Sequence, residues 1–352
     1  MIQTNWVIER LRQQWPNLEI AIEQIHTTGD RVSTLPLARI GGDGIFVTEI
    51  EQALRERRID LAIHSLKDLP TAQPDGLRVV VPGPREDVRD VFVSHVPFQI
   101  SAQGIQFLAG GLSAPTMRRE ATNCGSSPLH RGSAGRLDSK TVMYNGYQSA
   151  TPLRIGTCSL RRTAQVLALY PDAQILPLRG NIDTRLRKLE NGDYDAILLA
   201  SAGLHRMALQ QRLAARLIYC PIEALLPAPG QGALGLEIRD EPEWKTLLAP
   251  LADPVVQAAT SAERMFMRHL GAGCYLPVAA YGELVDGTLT VTGLVISLDG
   301  QRRIRVRQSR AWTPGCTLAC AEQLGVDLAE QALDQGASEI IQAVNAIRLQ
   351  ER

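Results

Sequence analysis

Residues 59–71 read IDLAIHSLKDLPT, and the two halves of that stretch differ in kind. Ile59 to Ile63 is a short apolar run, the pattern of a buried parallel strand. Such a strand normally closes in a Gly, Asn or Ser turn. Here it delivers His64, Ser65, Lys67 and Asp68, and stops at Pro70. An open α/β sheet collects its ligands at the carboxyl ends of its strands. The stretch therefore sets two expectations, an α/β sheet and a charged site at its edge.

The strand-and-helix rhythm continues on both sides. Upstream, TNWVIERLRQQW places Trp6, Val7, Leu11 and Trp15 on roughly one helical face, LEIAIEQI (18–25) reads as a strand, and FVTEIEQALRERR is helical. Downstream, LRVVVP and DVFVSHV are short β-branched runs. RIGT, AQILPL and YDAILLAS then alternate with helices through SLRRTAQVLALYP and DTRLRKLENG. This order predicts α/β domains with mixed, mostly parallel sheets. After about residue 250 the pattern changes. PVVQAATSAERMFMRHLGAG reads as a helix ending at Gly271. The period-two run after it carries Asp-Gly at 286–287 and 299–300, the mark of two hairpins. Helices then close a small α+β domain. Residues 96–150, rich in Gly, Ser and Arg, fit neither pattern and are expected to form a flexible surface insertion, disordered for much of its length.

Composition narrows the function. A chain of 352 residues is too long for one ordinary core, so two or three domains are expected. Lys plus Arg and Asp plus Glu both total 37, so no global charge points to nucleic acid or a membrane surface. Scarce aromatics (5%) argue against base-stacking surfaces. No apolar run approaches the roughly 20 residues of a spanning helix, and MIQTNWVIERLRQQW lacks a signal-peptide pattern. The six cysteines, at 124, 158, 220, 274, 316 and 320, show no framework spacing, and Cys316 and Cys320 stand four apart on an expected helix. Reduced thiols in a cytoplasmic protein fit best.

Three clusters carry chemistry. Gly156-Thr157-Cys158-Ser159-Leu160-Arg161-Arg162 follows a strand, with Thr157 or Ser159 as N-cap, and Arg179-Gly180-Asn181-Ile182-Asp183-Thr184-Arg185 repeats the arrangement. The positive end of a helix dipole disfavours arginine. Arginines there either bend towards solvent or nearby acids, or combine with free helical N–H groups to bind carboxylate or phosphate. Lys67 and Asp68 lie at the same kind of edge in a different domain, so the two sets would face each other across a cleft. Asp68 there could stabilise a cationic intermediate and move protons; alternatively it caps a helix or pairs with Lys67. Cys274, in the turn Gly271-Ala272-Gly273-Cys274-Tyr275-Leu276-Pro277, sits near Arg268 and His269, which favour its thiolate. A buried structural cysteine is the alternative. No second Cys or His stands at ligand spacing, so no metal is expected.

In order along the chain, HSLKDLP (64–70), GTCSLRR (156–162), RGNIDTRLRKL (179–189), ASAGLHRM (200–207), PGQGALGLEIR (229–239), AERMFMRHL (262–270) and GAGCYLPV (271–278) resemble the blocks of the porphobilinogen deaminase (hydroxymethylbilane synthase) family. The resemblance covers nearly the whole chain except about 96–150. It implies two lobes similar to periplasmic binding proteins: lobe 1 from 1–92 and 231–249, lobe 2 from 93–226. A cofactor-carrying domain occupies 252–352, and Pro229-Gly230-Gln231-Gly232 marks the return crossing. By the same resemblance Cys274 would hold a dipyrromethane cofactor through a thioether. Four porphobilinogen units would be added head to tail, each losing ammonia to form an azafulvene-type cation, before hydrolysis frees the linear tetrapyrrole. Asp68 would be the catalytic group under the reacting pyrrole N–H. Lys67, Ser65, Thr157, Ser159, Arg161, Arg162, Arg179, Arg185 and Gln231 would bind the carboxylates of cofactor and growing chain. The implied protein is a cytoplasmic monomer of tetrapyrrole (heme, chlorophyll) synthesis, without nucleic-acid or membrane partners.

Three departures accompany the resemblance. The family's opening segment R-x-G-T-R-x-S-x-L-A has no counterpart before MIQT, so lobe 1 is expected to lack its first strand. Many relatives carry lysines at the positions of Asp43 and Thr48. The insertion after about residue 96 is the third. The alternative function, raised by the missing opening segment, is a catalytically inactive or impaired two-lobed binder of polycarboxylates.

Overall fold

A computed structural model describes residues 1–25, 47–107, 152–273 and 276–350. Its strands, in chain order, are β1 (Leu61–Ser65), β2 (Leu77–Val80), β3 (Asp90–Ser94), β4 (Phe98–Ser101), β5 (Gly104–Phe107), β6 (Arg154–Gly156), β7 (Gln174–Leu176), β8 (Ala196–Ala200), β9 (Leu217–Tyr219), β10 (Leu234–Arg239), β11 (Val278–Val285), β12 (Thr288–Ile296) and β13 (Arg303–Ala311).

The first sheet has the order β1-β10-β2. Strand β10 is buried along its whole length, its Glu237 and Arg239 paired with His64 and Asp60, and it pairs antiparallel with both neighbours. This corrects the parallel reading of residues 59–63. The strand beside β1 is supplied from far along the chain and runs back against it, a direction that local apolarity does not encode. Val7 and Leu11 from the helix Ile2–Gln14 close one side of this core against Leu234, Leu236, Ile238 and Leu248. Leu54, from the helix Thr48–Arg55, packs with Ala62 and Leu77. Residues 18–25 form no strand among the described residues, although Leu18 and Ile20 still pack on the core. Their alternation marks one apolar side, which an irregular extended segment shares with a strand.

The second sheet has the order β7-β6-β8-β3-β9. The pairs β7-β6 and β6-β8 are parallel, joined through the helices Leu160–Leu169 and Ile182–Glu190, whereas β3 runs antiparallel to β8 and β9. The α/β class with mixed sheets holds, and among the described residues the parallel pairings are confined to these strands. Residues 98–107, expected to belong to a flexible insertion, form a hairpin, β4-β5. Phe98, Ile100 and Ile105 alternate inward onto Phe92 and Ile155, and the Phe92 and Phe98 rings meet edge-on with centroids 5.1 Å apart. The Gly- and Ser-rich composition of the neighbouring residues masks this alternation in the sequence. The rest of the expected insertion, 108–151, lies outside the described residues.

The third sheet, β11-β12-β13, is an antiparallel meander as expected. Asp286 (φ 48°) and Gly287 (φ 68°) form its first turn, both in the left-handed region that a two-residue hairpin loop requires. The helices Pro254–His269 and Leu318–Asp334 cover one face, with Phe266, Leu324 and Leu328 in the core. Cys316 precedes the second of these helices and only Cys320 lies within it, since Thr317 is its N-cap.

All three sheets meet at one buried carboxylate. Glu263, fully buried, accepts Arg85 Nη1 at 2.7 Å and Nη2 at 2.9 Å, and the backbone N–H groups of Gly230 at 2.6 Å and Gly282 at 2.7 Å. Arg85 Nε donates to the Gln231 carbonyl at 2.9 Å. Breaking a buried pair of this kind leaves an uncompensated charge and costs about 3–5 kcal/mol. Arg85→Ala should therefore lower stability by about that amount in urea unfolding. Arg302→Ala, which removes a pair with Glu339 whose side chains are 58% and 68% exposed, should stay within about 1 kcal/mol. Equal small losses in both variants would show that Glu263 does not hold the junction.

Candidate active site

Strand β1 ends in a single helical turn, Leu66–Asp68. Leu66 and Leu69 are buried, and the Leu66 N–H donates to the Ala233 carbonyl at 3.0 Å. Arg264 clamps the same turn from the helix Pro254–His269, donating to the carbonyls of Leu66 (3.2 Å), Leu69 (3.1 Å) and Pro70 (2.6 Å). Apolar anchors and the clamp fix the backbone, leaving Lys67 half-buried and Asp68 exposed at the tip.

The two helix starts of the second sheet face this turn. Ser159, one of the two expected N-caps, is the cap of the helix Leu160–Leu169: its Oγ accepts from the Arg162 N–H at 3.5 Å. Thr157, buried, accepts from the Ser159 N–H at 3.2 Å. Asn181 caps the helix Ile182–Glu190, and Arg185 Nε donates back to the Gly180 carbonyl at 2.7 Å. Burial, then the charge of Arg162, pull Arg185 below the ordinary guanidinium value, with Cys158 and Asp68 opposing. Asp68 of one sheet and Arg185 and Arg162 of another thus share one electrostatic neighbourhood. Arg179 stands half-buried at the head of the same loop.

Arg161 and Arg162 turn inward. Both are buried and bind Asp90, the first residue of β3: Arg161 Nη1 lies 2.7 Å from Oδ2, and Arg162 Nη2 and Nε lie 2.8 Å and 3.1 Å from Oδ1. Arg161 Nη1 also donates to the Leu226 carbonyl, and Arg162 Nη1 to that of Leu198. Among the described residues Arg161 Nε and Nη2 make no protein hydrogen bond. Burial alone would raise the Asp90 pKa, but the two guanidinium groups hold it far below the usual carboxylate range. The helix-start arginines thus pair with an acid, the simpler of the two expectations, while remaining at the cleft.

Gln231, fully buried in the return crossing, joins the two sides. Its Nε2 donates to Asp90 Oδ1 at 2.9 Å and to the Val88 carbonyl at 2.7 Å, and its Oε1 accepts from Lys67 Nζ at 3.3 Å. Burial pushes the Lys67 ammonium down to about 8; Asp68 and Asp90 resist the shift, and Arg162 and Arg161 add to it. Gly230 (φ 74°) and Gly232 (φ 86°) let the crossing pass this close, and a Cβ on Gly232 would come within 2.3 Å of the Glu86 carbonyl oxygen.

Not every expected residue joins this cluster. Ser65 accepts instead from Gln3 Nε2 at 3.0 Å. His64 points into the first sheet, where it meets the buried Glu237 at 3.1 Å. Thr48 opens the helix Thr48–Arg55, whereas Asp43 and Cys274 lie outside the described residues. The turn flanking Cys274 is described: Gly271 (φ 63°) ends the helix Pro254–His269, and the Leu276 N–H bonds the Gly273 carbonyl at 3.1 Å. Asp90 was not anticipated, although an acid heading an otherwise apolar strand, DVFVS, was a usable signal.

The cleft suits a ligand bearing several carboxylates. Lys67, Arg161, Arg162 and Arg185 converge there, and the acids among them are Asp68 and Asp90. Among the described residues no group of three or more His, Cys, Asp or Glu side chains is placed to hold a metal ion, and no helix is long and apolar enough to cross a membrane.

Comparison with known proteins places this geometry in a family. Residues 1–123 and 139–246 match the family profile described as "Porphobilinogen deaminase, dipyromethane cofactor binding domain", and residues 258–334 match "Porphobilinogen deaminase, C-terminal domain". The first match breaks only across 124–138, a narrower gap than the expected 96–150. Curated relatives include the porphobilinogen deaminases of Syntrophobacter fumaroxidans (41% identical, covering 94% of this chain and 89% of the relative) and Desulforudis audaxviator (39%, covering 98% and 94%). That of Chromobacterium violaceum is 40% identical, covering 98% and 94%. The chain belongs to the porphobilinogen deaminase family.

Proposed function

We propose that this chain is a hydroxymethylbilane synthase, a transferase that joins four porphobilinogen units onto a dipyrromethane cofactor and releases the linear tetrapyrrole by hydrolysis. The observation that carries the reading is the meeting of Asp68 with Lys67, Arg161, Arg162 and Arg185 at facing strand ends, in a chain matched by the family's cofactor-binding profile. The cofactor, when bound, supplies the α-carbon nucleophile that starts the chain. Cys274 is its attachment point, and the described turn on either side of it is short and glycine-rich.

The protein's own groups divide the remaining work. Asp68, exposed at the tip of an immobilised turn, accepts hydrogen bonds from pyrrole N–H groups. It also stabilises the positive charge that develops as the substrate loses ammonia. Lys67, the free N–H groups of Arg161, and Arg179 and Arg185 bind acetates and propionates, assisted by Thr157 and Ser159. Ser65 holds the edge of the site through Gln3. Each added ring brings two carboxylates, so several cations at one cleft are a chemical requirement. The proposed division is into 1–92 with 231–249, 93–226 and 252–352; the sheets support it with the first boundary moved upstream of Asp90, because β3 (Asp90–Ser94) lies in the second sheet. The enzyme acts as a cytoplasmic monomer and supplies tetrapyrrole for heme or chlorophyll.

Intact mass of the purified chain, followed by a peptide map, should show two linked pyrrole units on Cys274; an unmodified thiol would refute self-assembly of the cofactor by this chain. Asp68→Asn should keep that modification and lose about 10²-fold or more in turnover, and near-normal turnover would remove Asp68 from the chemistry. The ammonium of Lys67 is charged below about 8, so carboxylate binding through it weakens as pH rises through that value. KM for porphobilinogen should rise above that pH in the parent enzyme and stay flat in Lys67→Arg, whose guanidinium remains charged. Identical profiles would exclude Lys67 from substrate binding.

A further inference from the structure

The return crossing does more than connect two sheets. Gln231 is fully buried, and each end of its amide is committed to a different side of the cleft: Nε2 to Asp90 at 2.9 Å, Oε1 to Lys67 at 3.3 Å. Asp90 is itself fully buried and holds Arg161 and Arg162. A chain of charge-assisted hydrogen bonds therefore runs from the helix start of the second sheet, through the crossing, to the residue preceding Asp68. Every group in the chain has its inward-facing atoms satisfied by protein, so the geometry is set before any ligand arrives. A carboxylate with two guanidinium partners and an amide has no capacity left for a substrate of its own.

We propose that Asp90 and Gln231 are positioning residues for the reaction: Asp90 anchors Arg161 and Arg162 beside the cleft and, through Gln231, fixes Lys67 beside Asp68. The proposal rests on the reading of this cleft as the site of porphobilinogen polymerisation. Its physical content is a linkage between the carboxylate-binding groups of the second sheet and the catalytic turn of the first. The bond from Lys67 orients the ammonium, and the charge of Asp90 offsets two guanidinium groups that would otherwise repel it. The charged groups acting on Lys67 are Asp68, Arg162, Asp90 and Arg161.

The first test reads Lys67 directly, without requiring turnover. Holoenzyme is labelled with acetic anhydride across a pH series, and the extent of Lys67 acetylation is followed by peptide mass. In the parent the midpoint should fall below that of an exposed lysine, because burial lowers it. In Asp90→Asn it should move down by about one pH unit or more, because loss of the negative charge leaves Arg161 and Arg162 unopposed. An unchanged midpoint in Asp90→Asn would overturn the linkage, whether or not the enzyme is active.

The second test keeps the Asp90 pairs intact, so it stands even where Asp90→Asn fails to fold. Gln231→Leu should lower kcat/KM about 10-fold in the parent background, and by less than about 2-fold in a Lys67→Ala background. Equal losses in the two backgrounds would mean that Gln231 acts by some route other than Lys67, and the proposal would fall. A parent holoenzyme that forms no hydroxymethylbilane, yet shows the expected midpoint shift, would refute the functional reading and leave the linkage standing.

Discussion

A carboxylate cut off from water is tolerated only when its partners replace the lost hydration in full. Glu263 meets that condition with four donors drawn from three separate parts of the chain: Arg85, Gly230 and Gly282. Those parts are the outward crossing from the first sheet, the return crossing and the first strand of the third sheet. The pair therefore decides where the sheets meet, and through the return crossing it decides where Gln231 lies. Arg264, one residue further along the same helix, grips the carbonyls of the Asp68 turn. A single helical turn of the helix Pro254–His269 thus fixes both the joint and the Asp68 turn.

The cleft depends on a second buried carboxylate used in a different way. Guanidinium groups at helix starts work against the helix dipole, and their burial adds desolvation. Asp90 offsets both for Arg161 and Arg162. The pairing leaves one net positive charge, and Lys67 and Arg185 add theirs at the same opening. The site is consequently a preorganised positive surface, in which protein dipoles and charges are oriented before the reaction demands them.

Much of this was legible from local pattern. The helices and strands of the second sheet were marked by period and by caps, and the Asp-Gly turns of the third sheet by the φ > 0 that two-residue hairpin loops require. The family blocks carried the family assignment. What escaped was non-local. The antiparallel direction of β1 depends on β10, more than 150 residues away in sequence, and nothing within residues 59–71 encodes it. The hairpin at 98–107 was hidden by the composition of its neighbours, although Phe98, Ile100 and Ile105 alternate as a strand should. Asp90 escaped because an acid in an apolar run has meaning only once its partners are known, and these lie about 70 and 140 residues further on.

The arrangement also suits a reaction in which the ligand grows. On the proposed assignment Asp68 serves each unit in turn, so the groups that fix it should be rigid. They are the buried ones: Leu66, Leu69, Gln231 and Asp90. The carboxylates of a lengthening chain come to lie at different distances from Asp68, so their counter-charges should be distributed and less constrained. Arg161 and Arg162, whose inner N–H groups bind Asp90, stand at one helix start, and Arg179 and Arg185, both half-buried, stand at the next, so the cations are spread over two loops. The cations of the cleft thus come from two loops of the second sheet and one turn of the first. That spread arises from where the sheet ends its strands: β6 delivers Arg161 and Arg162 against β3 and the crossing, while β7, its parallel neighbour at the sheet edge, delivers Arg179 and Arg185.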